Sequence, residues 1–189
     1  MKDVESNLVI IGGDLYTPQG IIRNGCLTVK DRYIQSISKK KRRFSRISRV
    51  IEAQDKIIIP GFIDIHLHGS KGFDIINGKY LLSNGNWQTD LNTLREGIKE
   101  IVKFHAWHGT TGVVLALTGS TDRKLCNSLR IIGEYIKNKS LDGARVWGSY
   151  LEGTFLKSKE YAGAQSPRYF RFPSIQFFKK LENYSKHTI

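Results

Sequence analysis

The stretch Pro60-Gly61-Phe62-Ile63-Asp64-Ile65-His66-Leu67-His68-Gly69, followed by Gly72 and Asp74, decides how this chain is read. Between a Pro-Gly turn and a glycine, Ile63 to His68 has the composition of a β-strand. Side chains two apart on a strand share a face, so His66 and His68 are expected to project together, a few ångströms apart. Two imidazoles so placed suit a shared divalent ion such as zinc or iron. Solvent-facing histidines on a strand would be spelled the same way, and the spacing alone leaves both readings open.

Downstream, longer elements alternate. Leu94, Ile98, Ile101, Val102 and Phe104 fall close to helical spacing, which predicts a helix from Leu91 to His108. His105 and His108, at its end, read as packing or helix-end residues. Thr110 to Leu117 is a continuous β-branched and apolar run, the kind buried on both faces of a parallel sheet. Ser120, Thr121 and Asp122 offer caps for a helix from Arg123 to Lys137, with Leu125, Leu129, Ile132 and Ile136 as its apolar stripe. Ala144 to Leu151 reads as a third strand that delivers Glu152 at its end. This succession predicts a parallel α/β layout. A helix is expected over Ile175 to Glu182, and Lys186 to Ile189 reads as the start of a fourth strand.

Upstream, short strands are expected at Leu8 to Ile11, Cys26 to Lys30 and Tyr33 to Ile37, with Gly12, Gly13, Gly20 and Gly25 marking hairpins. Lys30, Asp31 and Arg32 form a predicted turn. Val50 and Ile51 resume pairing, and Ile57 to Ile59 carry the chain onward. Lys39, Lys40, Lys41, Arg42, Arg43, Arg46 and Arg49 supply much of the formal net charge of +13 and read as a solvated loop. An anionic partner would suit that charge, but no aromatic residues interleave it to stack bases, which argues against nucleic acid. Cys26 and Cys126 lie far apart in sequence, predicting neither a disulfide nor a cysteine zinc site, and they suit a reducing cytoplasm. No apolar run approaches the ~18 residues of a membrane span, so a soluble, unexported protein is expected.

Two motifs carry a resemblance. The His-x-His stretch, with Gly72 and Asp74, resembles the first barrel strand of the amidohydrolase superfamily. Gly148-Ser149-Tyr150-Leu151-Glu152-Gly153-Thr154-Phe155-Leu156, followed by Gly163-Ala164-Gln165, is similar to the corresponding region of the N-acetylglucosamine-6-phosphate deacetylases, and Gly109-Thr110-Thr111-Gly112 agrees. The resemblance implies an α/β fold: about the first three strands of a (β/α)8 metal-dependent hydrolase barrel over residues 59–189, and over 1–58 the N-terminal β-sandwich part of a composite small domain. It implies His66, His68 and Glu152 as ligands of a divalent metal, zinc or iron, and Ala164 and Gln165 as substrate contacts. The implied reaction is hydrolysis of the N-acetyl group of an amino-sugar phosphate, giving glucosamine 6-phosphate and acetate.

The departures from the family pattern are specific. Tyr150 stands where the family has histidine, Thr154 where it has proline and Gln165 where it has histidine. A neutral glutamine hydrogen-bonds a sugar but cannot act as an acid near neutral pH. A complete barrel takes ~250 residues, and His66 to Ile189 offers about half of that. The resemblance places the catalytic aspartate and two further metal-binding histidines outside this chain, so no general acid/base is expected within it. A truncated chain of this kind is expected to self-associate or to pair with a complementing chain. The competing readings are an inactive amidohydrolase-derived binding or regulatory fragment, and another amidohydrolase such as a deaminase or cyclic amidase. Leu151-Glu152-Gly153 and Gly163-Ala164 speak against the latter.

Overall fold

The computed structural model describes residues 7–39, 49–82, 84–89, 91–138 and 142–189. The chain divides into two compact units, Met1–Pro60 and Gly61–Ile189.

In the first unit, β1 (Leu8–Thr17) and β2 (Gly20–Lys30) form an antiparallel hairpin, and β3 (Tyr33–Ser38) continues it on the far side of β2. Both long strands extend well past the short segments expected from sequence. The glycines that read as hairpin punctuation sit within the pairing: the register shifts around Gly13, where a β-carbon would lie 2.7 Å from the Ile58 side chain. Asp31 and Arg32 form the two-residue turn between β2 and β3, both at positive φ (49° and 79°). That conformation matches the twist of the strands it joins. β4 (Arg49–Glu52) and β5 (Ile57–Ile58) run parallel to β1. Val9, Leu15, Cys26, Leu27 and Ala53 are buried. Most of the basic run, residues 40–48, lies outside the described residues.

The second unit is built on a three-stranded parallel sheet of β6 (Phe62–Leu67), β11 (Thr110–Thr118) and β12 (Arg145–Glu152), with β11 in the middle. Between β6 and β11 the chain first makes a small antiparallel sheet of β7 (Gly69–Ser70), β8 (Phe73–Asp74), β9 (Lys79–Leu81) and β10 (Trp87–Thr89). The sequence gives no sign of these strands, because runs of two or three residues are too short to show a period. Helix α1 (Leu91–Trp107) packs on β11, α2 (Asp122–Lys137) on β12 and α1, and α3 (Ile175–Tyr184) against α2. Thr121 caps α2, its side chain accepting from the Lys124 N–H at 3.4 Å.

Burial explains the order of the layers. Val113, Leu115, Ala116 and Leu117 on the central strand are sealed, and Ile98, Ile101, Val102, Leu125, Leu129, Ile132 and Leu181 complete the core from the helices. Two expectations need correction. The first strand ends at Leu67 rather than His68, because Gly69, at φ +152°, turns the chain directly into β7. The last residues form no strand: Lys186 and His187 take left-handed φ values of 58° and 62° as the chain leaves α3. Their segment still reaches the edge of β12, where the Ser149 N–H donates to the Thr188 carbonyl at 2.7 Å.

Candidate metal centre

Parallel strands deliver their C-terminal ends to one side of a sheet, which is where barrel enzymes build their sites. His66 comes from the end of β6, His68 from the residue after it, and Glu152 is the last residue of β12. They converge across the central strand. His66 Nε2 lies 3.0 Å from both His68 Nε2 and Glu152 Oε2, and His68 Nε2 lies 2.7 Å from the same oxygen. All three side chains are partly open to solvent. The Asp64 carboxylate accepts the His66 backbone N–H at 3.0 Å, and the Tyr150 ring lies 4.8 Å, centroid to centroid, from the His66 imidazole.

The donor set fits a divalent cation. Two imidazoles and a carboxylate are the ligands zinc and iron accept. Ligand atoms on a tetrahedral ion with bonds of ~2.0 Å stand about 3.3 Å apart, close to the separations seen here. Partial burial alone would raise the Glu152 carboxyl pKa, but the His66 hydrogen bond and the electrostatic influence of the two imidazoles and the Gln165 amide hold it below the ordinary value. Glu152 is therefore a carboxylate at neutral pH, the form that binds metal.

The other residues singled out in the sequence fall in three places. Gln165 is buried at 8% exposure, and its Oε1 accepts the Gly119 N–H at 2.9 Å just beyond β11. Ala164 is exposed beside it. Thr154 is buried, its hydroxyl without a protein hydrogen-bond partner. His105 and His108 lie at the end of α1, where His108 Nδ1 meets the Phe104 carbonyl at 2.8 Å. Among the described residues, His66, His68 and Glu152 form the one group of three or more such side chains close enough to share an ion. Sequence reasoning missed Gly119 and the wall made by the small antiparallel sheet. An open cavity of about 460 Å³ is lined by His68, Gly69, Ser70, Phe73, Asp74 and Thr118, among others.

Known proteins share this arrangement of elements. The chain is 26% identical over 170 residues to an N-acetylglucosamine-6-phosphate deacetylase of Bacillus subtilis (strain 168), a match covering 89% of this chain and 39% of that protein. It is 31% identical over 139 residues to a Lysinibacillus sphaericus protein of the same name, covering 74% of this chain and 32% of that one. The chain is related to the N-acetylglucosamine-6-phosphate deacetylases. It spans less than half the length of these deacetylases. The crystal structure of the N-acetyl-D-glucosamine-6-phosphate deacetylase from Mycobacterium smegmatis matches with a TM-score of 0.73 at 20% identity, over 96% of this chain and 45% of that one. The fold is therefore that of the first part of an α/β barrel with an N-terminal β part. No family model matches the chain. Among the described residues, no helix is long and apolar enough to cross a membrane.

Proposed function

We propose that this chain provides the metal-binding first part of a deacetylase acting on N-acetylglucosamine 6-phosphate, which yields glucosamine 6-phosphate and acetate. The observation that carries the proposal is the convergence of His66, His68 and Glu152 at the ends of β6 and β12. These three residues hold the ion, zinc or iron. A divalent ion there supplies a Lewis acid that polarises an amide carbonyl and acidifies water near neutral pH. Residues 1–58 act as the N-terminal part of a small composite sandwich, and 59–189 as the first part of the barrel.

The chain's own residues set what else it can do. Ala164 and Gln165 lie beside the acetylated sugar, as the family resemblance implies. The proton that leaves water and returns to the departing amine needs a positioned acid/base. In the family that is an aspartate, and none of the residues matched here supplies it. A complementing chain or a longer form of the protein would supply that group. The buried thiols of Cys26 and Cys126 suit a reducing compartment such as the cytoplasm.

Metal content after equilibrium dialysis against zinc tests the site. The expected result is about one ion per chain, with affinity reduced ~10-fold or more in His66→Ala and Glu152→Ala, as removing a ligand costs at least what loss of its outer-shell partner does. Equal zinc uptake by the double variant His66→Ala/His68→Ala and the unmodified chain would sink the assignment. Acetate release from N-acetylglucosamine 6-phosphate by the purified chain alone would show that the acid/base lies within it.

A further inference from the structure

We infer that Gln165 is a positioning residue of the metal centre, a clamp that joins the ends of β11 and β12 and fixes the backbone that presents Glu152 to His66 and His68. This inference rests on reading those three residues as a metal site. Its support is the way the Gln165 side chain is enclosed. Gln165 is 8% exposed, so each end of its amide must find a partner within the protein. Its Oε1 accepts the Gly119 N–H at 2.9 Å, in the segment that leaves β11.

The stem of the same side chain lies against Gly153, the residue after Glu152. A β-carbon at Gly153 would come within 2.7 Å of Gln165 Cγ and 2.8 Å of Cδ. Gly153 also holds φ at +67°, a conformation that L side chains rarely adopt. The backbone at Glu152-Gly153 is thus shaped around the glutamine. The opposite side is equally close, since a β-carbon at Gly119 would meet the Gly153 carbonyl at 3.2 Å and Gln165 Oε1 at 3.5 Å. A ligand whose backbone is fixed stays aimed at the site when the ion leaves, which is how outer-shell positioning raises affinity.

The loop that carries Gln165 is itself braced: its N–H donates to the Ala162 carbonyl at 2.8 Å. A histidine could keep the polar contact, with one ring nitrogen accepting the Gly119 N–H. Leucine, of similar size, could not accept it.

The test compares Zn²⁺ affinity, the visible spectrum of the Co²⁺-loaded chain and the urea midpoint across the unmodified protein, Gln165→Leu, Gln165→His and His66→Ala. The expected result is a ~10- to 100-fold loss of Zn²⁺ affinity in Gln165→Leu, an altered Co²⁺ spectrum, and affinity kept within about threefold in Gln165→His. If Gln165→Leu fails to fold, Gln165→Asn, too short to span both contacts, takes its place with the same expectation. Zn²⁺ affinity and Co²⁺ spectrum unchanged in the variant that folds, with only the urea midpoint lowered, would show a merely structural residue and overturn the inference. Undiminished Zn²⁺ binding by His66→Ala is a different failure, that of the metal site itself.

Discussion

At the scale of single residues, the chain uses carboxylates in two ways. Glu152 faces imidazoles at 2.7–3.0 Å and stays partly open to solvent, which suits a ligand. Glu134 instead ties helices together: Arg95 Nη2 of α1 and Arg130 Nη1 of α2 meet its two oxygens at 2.7 and 3.0 Å. The hydrogen bond from Arg95, with that from Arg130, holds the Glu134 carboxyl below its ordinary 4.5 despite the opposing effect of burial. A folded-state pKa below the unfolded one adds stability above the unfolded value, and that stability is lost as pH falls through the folded value. Acidification from pH 6 to below the ordinary carboxylate range should therefore lower the urea midpoint of the unmodified chain more than that of Glu134→Gln. Parallel midpoint-versus-pH curves for the two proteins would contradict this. The pairing of His66 with His68 is legible from sequence, because two residues along a strand is a local relation. The contact of Gln165 with Gly119 is not, because 46 residues separate them and only the packed loop brings them together.

At the scale of elements, caps and close approaches decide more than helix propensity does. Thr121 is the N-cap of α2, and Thr121→Ala should cost about 1 kcal/mol, read as a lower urea midpoint with an unchanged slope. Gly97 gives the sharper case. It lies inside α1, where alanine is favoured over glycine by ~1 kcal/mol on propensity alone. A β-carbon at Gly97 would fall 2.3 Å from the Phe73 ring of β8, and Phe73 is itself packed on Tyr80 of β9. Overpacking typically costs about 1–3 kcal/mol, so packing should win and Gly97→Ala should be destabilised in chemical denaturation. A more stable Gly97→Ala would mean that the small antiparallel sheet gives way freely. The helices are legible because their apolar stripes repeat over many turns. Strands β7 to β10 are not, since their pairing is set by turns at Lys71 and Gly72, both at positive φ, and by contact with α1.

At the scale of the whole molecule, the three-stranded sheet leaves apolar surface open. Ile65 is 69% exposed, Phe62 58% and Trp147 51%, and β6 and β12 are edge strands of that sheet. Exposed apolar surface beside a strand edge favours association. Size-exclusion chromatography of the purified chain should show species larger than its 21.5 kDa monomer, and a monomer with a sharp melting transition would refute this. By itself the sequence determined the alternation of the three long parallel strands with helices, the parallel α/β class and the candidate ligands, because these follow from local periodicity and from short motifs. Only the tertiary structure decided where those ligands meet, that the first strand stops before His68, and that Gln165 is enclosed between Gly119 and Gly153. Each of those outcomes depends on atoms from segments distant in sequence competing for the same few ångströms, and no local pattern encodes that competition.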